Sequence, residues 1–287
     1  MISQTPTVAV ITSTIGRHDL ERAILSVKNQ HYQAKHYVFV DGEQFWVAAK
    51  SILDKYPEVV ATYLPMNTGA SGWSNSSINA IAPFLVKEDI VCYLDDDNWY
   101  EPSHVEQGVQ ALLASGADYA YAMRNLYDVN LNFLCPDTYE SLGEYSSGWQ
   151  TETLDVSFEL NGQVFKDEYE LSTKHHIDTN CYFFPTTLAK ILAVAWHTGF
   201  HNDKNVYRFL NDLQKKGVCT RTFSVNYLFD AKKQMSGIFE EYQKSPVSAT
   251  PEQAEEICHA IVRLMAKTSF EGWGNQMPWE IDGKKSS

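Results

Sequence analysis

Three aspartates in a row, Asp95, Asp96 and Asp97, follow directly on an apolar run in VCYLDDDNWYEP (91–102). Adjacent carboxylates raise one another's pKa unless a cation compensates. Hard oxygen ligands of this kind suit Mg²⁺ or Mn²⁺, which bind through one or two carboxylates and share the rest of their shell with phosphate oxygens. The bland alternative is a solvated acidic turn in front of a helix beginning near Pro102, where negative charge is favourable. Two further loops sit at comparable places. TSTIGR (12–17) follows the first apolar run and DGEQ (41–44) the second; either one alone reads as an ordinary turn.

The elements that must carry these loops alternate between two periods. TVAVIT (7–12), HYVFV (36–40), VVATYL (59–64) and DIVCYL (89–94) are short apolar runs with the look of buried strands. Between them, Leu20, Ala23, Ile24 and Val27 recur at helical spacing, Phe45 to Leu53 reads as a second helix, and Ile78, Ile81 and Leu85 mark a third. Pro102 suits a first helical position, ahead of a stripe of Val105, Val109, Leu112 and Leu113. Such alternation implies βαβ units around a mostly parallel sheet with helices on both faces, an α/β fold. In open parallel sheets ligands bind at the carboxyl ends of the strands, where all three loops fall.

The second half is mixed. TLDVSFEL and QVFKDEYEL flank Asn161-Gly162, a hairpin signal. IDTNCYFF (177–184) is apolar, a helix follows from Thr186 or Thr187, and another carries Val206, Phe209, Leu210 and Leu213 with Gly217 as its C-terminal cap. CTRTFSVNYLF (219–229) is strand-like. The last helix opens with Thr250 as N-cap, Pro251 in the first turn and Gln253 reaching back, and shows Ala254, Ile257, Ile261 and Leu264 on one face.

Composition excludes several classes. The net charge of −13, from 36 acidic against 23 basic residues, leaves no basic face for nucleic acid. The five cysteines are odd in number and contain no CxxC pair, which disfavours a zinc site or disulfide framework and favours a reducing compartment. His197 and His201 stand four apart without an HExxH pattern, and together with His175-His176 they read as loop or acceptor-site residues, with a metal-shell role for one of them as the lesser alternative. The N-terminus lacks the features of a signal peptide, and no apolar run reaches the length of a membrane span. The expectation is a soluble, cytoplasmic protein, with room for peripheral association at the inner face of a membrane.

VAVITSTIGRHDLERAILSVKNQHY (8–32), YVFVDG (37–42), NTGASG (67–72) and YLDDDNWYEPSHVEQ (93–107) together resemble the inverting glycosyltransferases of family 2, with the GT-A fold and its metal-binding DxD motif. The resemblance is strong from residue 7 to about 115 and weaker through HHIDTNCYFFP (175–185), GFHNDKNVYRFL (199–210) and CTRTFSVNY (219–227). It implies a catalytic domain over 1–235, with a nucleotide-sugar half at 1–115, an acceptor half at 116–235, and a helical extension at 236–287. It also implies a site. Thr12, Thr14, Arg17, Asn67 and Gly69 line the donor pocket, and Asp41 meets the donor's base. Asp95 contacts the ribose or donor sugar and shares the metal with Asp97, the main ligand of Mn²⁺ or Mg²⁺, while Asp96 lies between them.

The matching general base is Asp203, which otherwise would be a helix cap, with Asp178 as its rival. Trp73, Trp99, Tyr100, Trp149 and Trp196 are core residues by default, but Trp99, beside the aspartates, and His201 are the expected acceptor contacts. Where many relatives read Ala-Arg-Asn, this chain reads Trp73-Ser74-Asn75, losing one cation near the donor. The implied reaction moves a hexose from a nucleotide-diphosphate sugar, a UDP-sugar first of all, to a glycan or glycolipid hydroxyl in surface polysaccharide synthesis. A sugar-phosphate nucleotidyltransferase and a non-catalytic glycan- or nucleotide-binding module are the alternatives. FEGWGNQMPWE (270–280) is compatible with closing over the acceptor, an oligomer contact or a membrane surface.

Overall fold

The computed structural model describes residues 5–146, 152–160, 162–171, 176–244 and 246–282. Asn161 of the expected hairpin turn, Trp149 and His175 lie outside the described residues. In chain order the elements are β1 (Val8–Thr14), α1 (Leu20–Lys28), β2 (Ala34–Asp41), α2 (Trp46–Leu53), β3 (Val60–Leu64), α3 (Ser76–Ile81), β4 (Ile90–Tyr93), β5 (Trp99–Tyr100) and α4 (His104–Ser115). They continue with β6 (Tyr119–Tyr127), β7 (Phe133–Pro136), β8 (Glu152–Leu160), β9 (Gln163–Leu171), β10 (Tyr182–Pro185), α5 (Thr186–Ile191), α6 (Ala193–Trp196), α7 (Asn202–Asp212) and β11 (Gly217–Leu228). Last come α8 (Ala231–Gln234), α9 (Ser236–Gln243), α10 (Pro251–Gly272) and α11 (Pro278–Asp282).

The main sheet has the order β3-β2-β1-β4-β10-β6-β11-β5, with β7 beside β6. β1 pairs in parallel with both β2 and β4, and β2 with β3. β10 is antiparallel to β4 and to β6. Three of the four parallel strands, β1, β2 and β4, read as continuous apolar runs because both faces are covered: Val8 to Ile11, Val38 to Val40 and Ile90 to Tyr93 are all buried, whereas the edge strand β3 is half-exposed. Helix α1 supplies Leu20, Ala23, Ile24 and Val27 to that core, the stripe expected from its spacing. The parallel order puts the carboxyl ends of β1, β2 and β4 side by side, and with them the three polar loops.

The chain divides into two compact units, one of Met1–Arg124 with His176–Asn226, the other of Asn125–His175 with Tyr227–Ser287. In the second, β8 and β9 form a hairpin paired from Glu152↔Leu171 to Leu160↔Gln163. Its inward residues Leu154, Val156, Leu160 and Leu171 join Phe239, Tyr242, Ile257, Cys258, Ile261 and Val262 in one apolar cluster. Helix α10 starts with the expected reciprocal cap: Thr250 Oγ1 accepts from Gln253 N, and Gln253 Oε1 accepts from Thr250 N. No described helix is long and apolar enough to cross a membrane.

Some local expectations give way. Helix α4 begins at His104 with Ser103 at the N-cap, so Pro102 lies just ahead of it. Gly217 does not cap α7, which ends at Asp212; it opens β11, where a Cβ would press into the Tyr119 ring. Ile81, Leu85, Leu113 and Leu213 are exposed rather than buried: Ile81 ends α3 and Leu85 lies beyond it, Leu213 follows the end of α7, and Leu113 falls on the solvent side of α4. Gly108 in α4 has a definite reason to be glycine: its Cα lies against the Phe183 ring, with no room for a methyl. Gly108→Ala should therefore destabilise the fold by about 1–3 kcal/mol despite the better helix propensity of alanine. Chemical denaturation checks this, and a neutral or stabilising result would mean that Phe183 has somewhere to move.

Candidate active site

The first unit concentrates its buried polar groups where β1, β2 and β4 end. On β1, Thr12 Oγ1 lies 2.8 Å from His36 Nε2, and both side chains are buried. Desolvation pushes the His36 pKa down to about 3, so this ring is neutral. Thr12 is thus a strut under the site. Thr14 reaches the aspartates: its Oγ1 donates to Asp96 Oδ2 at 2.6 Å and accepts from Gly16 N at 2.9 Å. Arg17 Nη1 contacts Asp96 Oδ1 at 3.1 Å and Asp97 Oδ2 at 2.6 Å, clamping the two carboxylates with one guanidinium.

At the end of β2, Asp41 is buried and fully engaged in loop geometry. Its Oδ1 accepts from Thr68 N and Oγ1 at 2.8 and 2.9 Å, and its Oδ2 accepts from Gly69 N at 2.8 Å. Asn67 Oδ1 also accepts from Gly69 N, at 3.0 Å. Gly69 is obligatory for this packing, since a Cβ there would strike Ser74 O and come within 3.0 Å of Asp41 Oδ2. Three of the expected donor-pocket residues therefore form one small unit that shapes the loop leading to Asn75.

Asp95 is held by neutral donors. Asn75 Nδ2 donates to its Oδ1 at 2.7 Å and Asn180 Nδ2 to its Oδ2 at 2.9 Å, while Asp95 N donates to Asn180 Oδ1 at 2.6 Å. Burial, reinforced by the charges of Asp97 and Asp178, lifts the Asp95 pKa to about 7. Burial also lifts Asp96 to about 6; Arg17 opposes that shift and Asp97 adds to it. Among the described residues no group of three or more His, Cys, Asp or Glu side chains is set to hold a metal ion. The donors facing one another here amount to one or two carboxylates, which suits a cation that takes its other ligands from phosphate and water.

The two candidate bases have opposite surroundings. Asp178 is buried; its Oδ2 accepts from Arg124 Nη1 at 2.6 Å, and its Oδ1 from Asn180 N and Nδ2 at 2.9 and 2.7 Å. Asp203 stands in the first turn of α7, but the N-cap position belongs to His201 and carries no side-chain cap bond. Its Oδ1 accepts from the adjoining Lys204 N at 2.8 Å, and its Oδ2 faces His176 Nε2 at 3.5 Å. Burial raises the Asp203 pKa, partly countered by His176 and reinforced by Asp178.

An amide relay joins the two regions, because Asn202 Nδ2 donates to Asn75 Oδ1 at 2.9 Å while Asn75 holds Asp95. Ser76 fixes the approach to α7, donating to Trp196 O and accepting from Thr198 N and Gly199 N at 3.2 and 2.9 Å. His201 adopts a left-handed φ of 65° and rests against Phe200. Trp99 is half-buried with the Arg22 guanidinium over its ring at 4.5 Å, and Trp73 is more exposed, against His197. Trp196 and Tyr100 are core.

Sequence reasoning missed Asn75 as a bridge, along with Arg124, Asn180 and Ser76. The arginine left a readable signal: a single cation inside the buried strand YAYAMRNLY (119–127) needs an acidic partner. The asparagines left none.

Parallel strands delivering carboxylates to one edge of an α/β sheet, with antiparallel β10 and β6 beside them, match the GT-A glycosyltransferase fold. Residues 9–165, more than half of the chain, match glycosyl transferase family 2, and the chain belongs to that family. An uncharacterized protein of Haemophilus influenzae is 26% identical over 106 residues, 36% of this chain and 68% of that protein. Among solved structures, S. aureus TarS superposes with a TM-score of 0.51 at 14% identity, covering 88% of this chain and 42% of TarS. The chain thus spans less than half of that TarS chain. A TarS 1–349 structure in complex with UDP-GlcNAc gives a TM-score of 0.52 at 13% identity, over 88% of this chain and 70% of that one. At such identities the likeness carries the fold.

Two measurements test the site. Arg124→Ala leaves the buried Asp178 carboxylate uncompensated and should cost about 3–5 kcal/mol of stability; the double variant with Asp178→Ala should recover part of that loss. Asp95→Asn tests the charge cluster. A carboxylate whose folded pKa is raised from 3.8 to about 7 binds more protons in the native state across that window. Its share of stability is full at low pH and declines as pH climbs through 7. Relative to the parent protein, the Asp95→Asn variant should therefore gain on going from pH 5 to pH 8 in chelator, by about 1 kcal/mol or more. Urea unfolding at the two pH values reads this, and a difference that does not move refutes the strained-carboxylate reading.

Proposed function

We propose that this protein transfers a hexose from a UDP-sugar to a hydroxyl of a glycan or glycolipid acceptor, with inversion, as a step in surface polysaccharide synthesis at the cytoplasmic side of a membrane. Family membership supports the reaction class, and the likeness to TarS in complex with UDP-GlcNAc supports a UDP-sugar donor. The observation that carries the reading is the division of labour between carboxylates. Asp95 to Asp97 sit at the end of β4, and a separate, partly buried carboxylate, Asp203, stands in the first turn of α7, away from the N-cap position.

In this reading Thr14, Arg17 and the Asp41–Asn67–Gly69 unit shape the donor pocket, with Arg17 turned to the diphosphate. Asp97, with Asp95, would hold Mn²⁺ or Mg²⁺. That ion supplies Lewis-acid stabilisation of the departing diphosphate. The electrostatics favour such a cation. Five carboxylates (Asp95, Asp96, Asp97, Asp178, Asp203) gather here; Arg17 is shared between Asp96 and Asp97, Arg22 reaches the Asp97 carbonyl, and Arg124 is committed to Asp178. The donor adds further negative charge, and Ser74 stands where many relatives place an arginine.

Asp203 takes the proton of the acceptor hydroxyl as the new O–C1 bond forms. The C1–O bond to the diphosphate breaks, and its electron pair leaves on the phosphate oxygen. A base whose pKa is raised towards working pH matches this task, whereas Asp178, tied to Arg124 and Asn180, positions rather than reacts. Trp99 and His201 are the acceptor contacts in this reading.

Isothermal titration with UDP, with and without Mn²⁺, should show metal-dependent binding that Asp97→Ala abolishes. Asp203→Asn should keep UDP affinity within about twofold and lower turnover of UDP-GlcNAc by about 100-fold or more, the usual contribution of a general base. Survival of turnover in that variant removes Asp203 from the role. Absence of nucleotide binding in the parent protein removes the donor assignment.

A further inference from the structure

His176 was read from sequence as a loop or acceptor residue, and the structure gives it a more specific place. The ring is almost wholly buried, with a side-chain exposure of 4%. Its Nε2 points at Asp203 Oδ2, 3.5 Å away, and its Nδ1 is buried without a hydrogen-bond partner. A half-satisfied imidazole in a protein interior is costly, because each unpaired buried polar atom loses its hydration. Nothing in the packing of the core calls for it: the neighbouring Ile177 and Cys181 are fully buried apolar groups. Among the described residues, the polar contact that the ring makes is to the carboxylate.

We propose that His176 is a positioning residue for the base, fixing the Asp203 carboxylate and keeping it ionised when the acceptor hydroxyl arrives. This rests on the assignment of Asp203 above. The charged and titratable groups around Asp203 divide clearly. Asp178, from the segment ahead of β10, opposes ionisation, and so does burial. Arg124 from β6 favours it from farther off, with its guanidinium held by Asp178. Tyr182 from β10 is itself disfavoured as an anion by Asp203. Lys204 contributes its backbone N–H. His176 is thus the side chain in direct polar contact that favours the carboxylate form. It does so by directing Nε2 at Oδ2 while Lys204 N holds Oδ1, so both oxygens are aimed. No bond to substrate is made or broken at His176, and the proton taken from the acceptor stays on Asp203.

The test uses release of UDP from UDP-GlcNAc with Mn²⁺, water serving as acceptor, for the full chain between pH 5 and 9. His176→Phe keeps a ring of similar shape and removes the polar contact. It should move the acid limb of kcat upward by about one pH unit, which lowers kcat at pH 6 about tenfold while the rate at pH 8.5 recovers. KM for UDP-GlcNAc should stay within twofold. His176→Gln, whose amide still reaches Asp203, should lie between Phe and the parent, and it also serves if the Phe variant does not fold. A ring that is merely structural would lower the rate equally at all pH values, and an unmoved acid limb in either folded variant overturns the proposal. The two assignments fail differently. Turnover surviving in Asp203→Asn defeats the base itself, whereas a dead Asp203→Asn beside an unshifted His176→Gln profile defeats the role of His176 alone.

Discussion

Like charge gathered at the end of a buried strand is the constraint around which the first unit is arranged. Two carboxylates about 4 Å apart repel by about 4 kcal/mol at the dielectric typical of a protein surface, and β4 ends in three successive aspartates. Every loop at that edge contributes something to holding them. β1 sends Thr14 and Arg17, the loop ahead of α3 sends Asn75, and the turn before β10 sends Asn180. Even Asp41, one strand further out, acts on the problem indirectly, since it grips the Thr68–Gly69 loop that presents Asn75.

The kind of donor matters as much as the number. A lysine against Asp95 would cancel its charge and lock it in an ion pair. The amides of Asn75 and Asn180 instead satisfy its lone pairs and fix its direction; burial and the charges of Asp97 and Asp178 raise its pKa and outweigh the downward pull of these hydrogen bonds. Arg124 shows the contrary solution a few ångströms along the chain of contacts, where Asp178 is neutralised and orients Asn180. Asn180 donates to both carboxylates, so the immobile pair sets the geometry of the strained one.

Much of this was legible in the sequence, for physical reasons that mark out what was not. The alternation of β1 to β4 with α1 to α4 could be read because buried parallel strands and one-sided helices impose different periods on apolar residues. The cap of α10 could be read because it is local, three residues closing on themselves. Gly217 misled because a glycine after a helix and a glycine under a tyrosine look alike until Tyr119, almost a hundred residues away, is placed. Asn75, Asn180 and Ser76 were invisible for the same reason. Asparagine and serine are ordinary loop residues, and their partners Asp95, Asp178 and Trp196 are brought to them only by the strand order.

Asp178 and Asp203 carry that lesson into the chemistry. As sequence they were rivals, two aspartates beside histidines and asparagines in the weaker half of the resemblance. The fold separates them by environment: Arg124 and Asn180 consume Asp178, and Asp203 has a backbone N–H on one oxygen and an imidazole near the other. A carboxylate that must accept and later release a proton cannot be tied to a buried guanidinium, since protonating it would strand the cation. Asp203 has no such tether, and protonation there strands no buried guanidinium. In the proposed reading, the choice between the two carboxylates rests on what each is not bonded to, which is information that only the folded chain contains.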